Sequence, residues 1–198
     1  MRLSPRWSRD GGPGQTILIP LLCVAAACVY GVLHDLVTAH VCIEYFTVFH
    51  PPLSESDSPV VQALTWGVVA TWWVGLLFGL LLSFAARLGR SAKMPVHHLM
   101  LPLVLVFLIC GSLAGAAGYV ASLIEGFNAY YFPDKATGWR ACIDHERWPE
   151  FFGVLVAHNT SYASGAILGL CLIVWVWKER QIETLRRIHS QSREIKAE

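Results

Sequence analysis

The sequence predicts an all-α membrane protein: a transmembrane four-helix bundle with N and C termini in the cytoplasm. Three observations carry this. The chain of 198 residues is 55% hydrophobic and only 15% charged, with mean hydropathy +0.48, whereas a soluble domain is about a quarter charged. Four long runs, residues 17–33, 59–86, 99–124 and 151–177, contain no Asp, Glu, Lys or Arg. A helix needs about 20 apolar residues to cross a hydrocarbon core. Finally, the segments between the runs alternate in sign, carrying +2, −4, +3, −2 and +2, which accounts for the whole net charge of +1. No charge is left inside a run.

The elements follow in order. Arg2, Arg6 and Arg9, against Asp10, precede the first span at about 17–38. This run reads as a span and not a secretory leader, because it continues through Val29, Tyr30, Val32 and Leu33 without a convincing cleavage site. Ala25-Ala26-Ala27-Cys28 resembles a lipoprotein site only loosely. Loop one holds Asp35, Glu44, Glu55 and Asp57 and no Lys or Arg. The second span covers about 59–86, and Arg87, Arg90 and Lys93 follow it without an acid. That turn is short, so spans two (59–86) and three (99–124) are antiparallel neighbours. Loop three is mixed, and the fourth span, 151–177, leads into a charged tail at 178–198. Lys and Arg favour the cytoplasm, so the termini are placed inside and loops one and three outside. The tail reads either as a surface helix with Ile182, Leu185 and Ile188 on one side or as a frayed solvated end. Trp66, Trp139 and Trp148 at the outer boundary and Trp175 and Trp177 at the inner one suit an aromatic belt.

Small residues recur four apart in every span: Ala27 and Gly31; Gly67, Thr71, Gly75 and Gly79; Gly111 and Gly115, with Ala114 and Gly118 offset; and Ser161, Gly165 and Gly169. In lipid, helices associate through close backbone packing at such positions. The stripes therefore predict one compact domain, or contacts within a homo-oligomer.

The candidate site begins with the segment HDLVTAHVCIEYFTVFHPP, residues 34–52. Ionisable groups beside hydrocarbon are costly unless paired, wet or liganded. His34 and Asp35 end the first span. His158 and Asn159 lie about two turns into the fourth, and Tyr162 follows His158 at i+4, on the same face. Glu125 ends the third span on the same side. These six residues are expected to meet at one depth in the outer half of the bundle. His40, Glu44 and His50 in loop one are supporting candidates, on a helix or on a strand, and 44–52 would cap the site.

Three readings of the cluster stand side by side. Imidazole and carboxylate together suit a transition metal, and two histidines on different spans suit axial ligation of haem, with redox work. In that case His34 and His158 are ligands, Asp35 is a ligand or orients an imidazole, and Asn159 and Tyr162 hydrogen-bond the ligand. Intramembrane ionisable residues also mark proton or ion paths. In the third reading, His34, Asp35 and His158 simply hydrogen-bond one another and tie loop one to the bundle. Cys42 and Cys142 both fall in outer loops, where a disulfide is a candidate. The other cysteines lie within spans as small apolar residues. The chain has no Gly-rich phosphate loop, no nucleophile elbow and no basic face for nucleic acid. The bilayer is its first partner, and the outer loops are the place for a membrane-protein partner.

The same segment, followed by WGVVATWWVGLLFG and HNTSYASG, resembles an uncharacterised family of small four-span bacterial integral membrane proteins with an HD…EYFT…HPP motif. The resemblance covers most of residues 17–177 and implies a protein of the bacterial inner membrane. It implies no activity.

Overall fold

The computed structural model describes residues 12–133 and 136–195. The basic N-terminal residues that help set the expected orientation lie outside this range. The described residues form helices α1 (Gly14–Val41), α2 (Glu44–Thr47), α3 (Pro59–Val69), α4 (Trp72–Arg87), α5 (His97–Tyr131) and α6 (Trp148–Ile195), with two 3-10 turns among them at Gly138–Cys142 and His145–Arg147. No strand occurs among the described residues. Among the described residues, four helical segments are long and apolar enough to cross a membrane, with α3 and α4 counted as one. Loop one, open between helix and strand on sequence grounds, is therefore the end of α1 followed by the short α2.

The observed helices outrun the hydrophobic spans at both ends. The charged tail is helical to Ile195, continuous with the fourth span. The second span is broken at Ala70–Thr71, where Thr71 Oγ1 donates to the Gly67 carbonyl. A hydroxyl bonding back to the preceding turn competes with the helical ladder and bends it.

The bundle is two antiparallel hairpins. In the first, α1 packs along α3 and α4, and in the second α5 packs along α6. The hairpins meet mainly through α4 and α6, so spans two and three, expected to be packed neighbours because their turn is short, are joined by that turn without packing along each other. Small residues make each seam. Gly31 abuts Gly67 and Thr71, Gly75 abuts Ala27, and Gly79 abuts Pro20. In the second hairpin Gly118 meets Gly153 and Ala157. Gly153 is a seam residue outside the predicted stripe, whereas Gly115 and Gly165 face open space. A Cβ at Gly67 would stand 2.5 Å from the Val32 nitrogen and 2.6 Å from its Cα. Backbone atoms cannot yield, so Gly67→Ala is expected to cost about 1–3 kcal/mol. Gly115→Ala is the control, since its Cβ meets nothing within 4 Å. Thermal unfolding of both variants in detergent checks this.

The end of the bundle where α4 turns into α5 is closed by polar residues. Arg87, buried, donates to the Gly12 and Met94 carbonyls and to Thr16 Oγ1. Arg180, only 1% exposed, donates to the carbonyls of Ala85, Leu88, Ser91 and Ala92. The tail helix thus buries Arg180 and Glu183, while Ile182, Leu185 and Ile188 stay exposed. At the opposite end the predicted belt is partly internal. Trp148 is 2% exposed, and its Nε1 donates to the Arg140 and Ile143 carbonyls. Trp139 stacks on Phe151 with ring centres 5.0 Å apart.

Candidate functional site

His34 and Asp35 occupy α1 about two turns before its end, and His158 lies about 15 Å into α6 at 1.5 Å per residue. The antiparallel packing brings them to one level. Donor atoms from His34, Asp35 and His158 all lie within 4.8 Å of one another. Asp35 and His158 are buried, at 6% and 3% exposure, and His34 is half-buried.

The local hydrogen bonds define the electrostatics. His158 Nδ1 lies 3.0 Å from the Val154 carbonyl oxygen. A carbonyl only accepts, so Nδ1 carries the proton. The other nitrogen, Nε2, stands 3.2 Å from Asp35 Oδ1. In a neutral imidazole this places a lone pair against a carboxylate oxygen. The contact is favourable only with a cation between them, either a proton or a metal ion. His34 Nε2 is a third ring nitrogen nearby, buried without a hydrogen-bond partner. An orphaned polar atom of this kind costs about 1–3 kcal/mol.

Aromatic rings wall the cluster. The His34 and His158 rings meet edge-on with centres 4.6 Å apart. Tyr45 stacks on His158 at 4.4 Å, and Phe46 lies at 5.7 Å from it. Helix α2 is therefore the cap over the cluster. Its anchor is an ion pair: Arg147 Nε donates to Glu44 Oε1 at 3.1 Å, and Arg147 Nη2 donates to Glu44 Oε2 at 3.2 Å and to the Val41 carbonyl at 2.9 Å. Partial burial opposes the ionisation of Glu44, but the Arg147 and Cys42 hydrogen bonds outweigh it and hold the carboxyl below its usual range. His50 braces the cap from behind, with Nδ1 donating to the Tyr45 carbonyl at 2.7 Å and the ring against Trp66 at 4.8 Å.

Several expected members lie elsewhere. Glu125 accepts hydrogen bonds from Arg140 Nε and Nη2, each at 2.6 Å. Helix α5 runs past Glu125 to Tyr131, and the 3-10 turn at Gly138–Cys142 folds Arg140 back onto it. Asn159 is exposed and donates to the Leu155 carbonyl at 2.7 Å. His40 is also exposed, bonded to the Leu36 carbonyl at 2.6 Å. Tyr162 stays near, its ring 6.2 Å from that of His158, at the rim and 56% exposed. Cys42 and Cys142 are both free cysteines. Cys42 is buried and donates to Glu44 Oε2 at 3.2 Å, whereas Cys142 is exposed. Burial, and then the Glu44 carboxylate, push the Cys42 thiol up to about 12, so it carries almost no thiolate for disulfide exchange at neutral pH.

Residues missed on sequence grounds are Tyr45 as the stacking partner and Arg140 and Arg147 as the counter-charges. The only signal for the arginines was arithmetic: loop three has the bases that acidic loop one lacks.

Fold and cluster together define a multi-pass α-helical membrane protein with a largely buried His–Asp–His triangle at one end of the bundle. No protein-family model matches the chain, and no curated protein or solved structure matches it.

Proposed function

We propose that this is a bacterial inner-membrane protein that binds a divalent transition metal ion through His34, Asp35 and His158, in the periplasmic half of the bundle. The carrying observation is the convergence of one possible ligand atom from each of the three side chains within 4.8 Å, with His158 Nε2 facing Asp35 Oδ1 and His34 Nε2 left without a hydrogen-bond partner. Donors on a tetrahedral ion with bonds of about 2 Å stand about 3.3 Å apart. The His158–Asp35 separation of 3.2 Å already suits this, and His34 has only to swing inward. Two imidazoles and one carboxylate suit zinc, iron(II), manganese or copper. Three protein ligands leave a further coordination position open, as metals that act on a bound molecule require.

Haem fits less well. Axial imidazoles need a flat slot between them for the macrocycle. The 4.6 Å edge-on contact of the two rings, with Tyr45 stacked on His158, provides none. The orientation is supported by charge: Arg87, Arg90 and Lys93 share an end of the bundle with the tail arginines, whereas the cluster lies at the other end beneath the acidic loop one.

Protein purified in mild detergent from cells supplied with zinc, iron, manganese and copper is expected to hold about one ion per chain, read by elemental analysis. Metal-free protein from such cells would leave a proton as the cation between Asp35 and His158, and the metal reading would fall.

A further inference from the structure

Between the two hairpins lies a partly open cavity of about 560 Å³. It begins at Tyr30, Ser161 and Tyr162, directly beneath the His34–Asp35–His158 cluster, and runs to Leu82, Leu103 and Leu172 near the other end. Along α6 the distance from Tyr162 to Leu172 is about 15 Å at 1.5 Å per residue. The volume falls within the range of small-molecule sites, about 300–1,000 Å³. The lining is mostly apolar, which in a spanning protein suits an occupant drawn from the bilayer.

The lining narrows the chemistry of that occupant. Among the described residues it contains no Lys, Arg or His to receive a phosphate, and anionic headgroups are recognised by clusters of such cations. The polar atoms gather at one end instead. Tyr30 and Ser161 hydroxyls bond each other at 2.7 Å, with Tyr162 beside them. The same end is aromatic: Tyr30 stacks on Phe107 with ring centres 5.0 Å apart and planes at 20°. Hydroxyls beside ring faces suit a neutral ring bearing oxygen atoms, and the apolar remainder suits a hydrocarbon tail. We infer that the cavity binds a neutral, ring-headed lipid of the quinone or quinol class. The head lies against Tyr30, Ser161 and Tyr162, and the tail extends toward Leu172. The inference does not depend on which cation occupies the neighbouring cluster.

Gly165 lines the cavity, and a Cβ there meets nothing within 4 Å. Gly165→Leu therefore grows into the cavity from a position where the first added carbon is free. The probe is a benzoquinone with a ten-carbon tail, titrated into detergent-solubilised protein and followed by quenching of tryptophan, since Trp73 is also in the lining. Saturable quenching is expected for the wild type, at least tenfold weaker in Gly165→Leu. The variant should keep its melting temperature and the wild-type metal content, which separates this result from the fate of the metal reading. Equal quenching in both proteins would overturn the inference. So would displacement of the quinone by phosphatidylglycerol of matched chain length, because the site would then be a general acyl-chain groove.

Discussion

Replacing Asp35 by asparagine is expected to remove the bound metal while leaving the fold intact. Asn keeps the shape of Asp, and its amide N–H can donate to the His158 Nε2 that now faces Asp35 Oδ1 at 3.2 Å. Without metal, the variant therefore gains a neutral hydrogen bond where the native site needs a cation. With metal, it has lost the anionic ligand. Metal affinity should fall by at least about a hundredfold, beyond the ten- to hundredfold typical of losing a group that merely orients a ligand. His158→Ala is expected to lose the metal as well, but at a structural cost. It strands Asp35 in a buried site, and uncovering one partner of a buried pair costs about 3–5 kcal/mol. It also removes the ring on which Tyr45 stacks, so the α2 cap should loosen. Elemental analysis and melting in detergent, with and without chelator, read the two effects separately. If Asp35→Asn retained the ion at wild-type affinity, Asp35 would not be a ligand. If chelator shifted the melting of Asp35→Asn as much as that of the wild type, the metal would reside elsewhere.

The contrast between His158 and its neighbours shows what the sequence could convey. Uncharged runs fix how deep each residue lies, because rise per residue is constant. They say nothing about the direction in which it faces. Successive helical residues are about 100° apart, so Asn159 shares the depth of His158 and points away from the bundle. Glu125 lies nearer the outer end, since its neighbour Gly126 sits against Pro149, nine residues before His158, and it is satisfied by Arg140 from a turn whose path no periodicity predicts. Asp35 and His158 were legible because both a shared level and a need for compensation pointed to them. Their cap was legible only as a dense polar segment. Its anchor is a contact between Glu44 and Arg147, 103 residues apart, and long-range pairings of this kind leave no local trace. The small-residue stripes told more, since close helix approach demands Gly at the contact itself. Even so, stripes at Gly31 and Gly67 are seams, and Gly165 in an equivalent stripe lines a cavity.

The second large effect is expected at the far end, from Arg180→Ala. A charged residue just past a hydrophobic run would ordinarily be a solvated anchor of little energetic weight. Arg180 instead spans the turn that joins the two hairpins. Its three nitrogens reach the carbonyls of Ala85 and Leu88 at the end of α4 and of Ser91 and Ala92 beyond it, at 2.5–3.3 Å. The last carbonyls of a helix have no partner within it and carry its negative dipole end, which a buried cation complements. Alanine leaves these oxygens without their donor. Charge-assisted hydrogen bonds contribute about 1.5–3 kcal/mol each, so a loss of about 3 kcal/mol or more is expected even after relaxation. Arg180→Lys should recover only part of it, since a point ammonium cannot reach four carbonyls as the planar fork does. Membrane orientation should survive both changes, because Arg87, Arg90 and Lys93 remain at that end. The informative measurement pairs melting temperature with hydrogen exchange of residues 88–96. A lowered melting point with fast exchange confined to that turn is the expected pattern. Unchanged exchange there would mean that Arg180 does not hold the hairpins together.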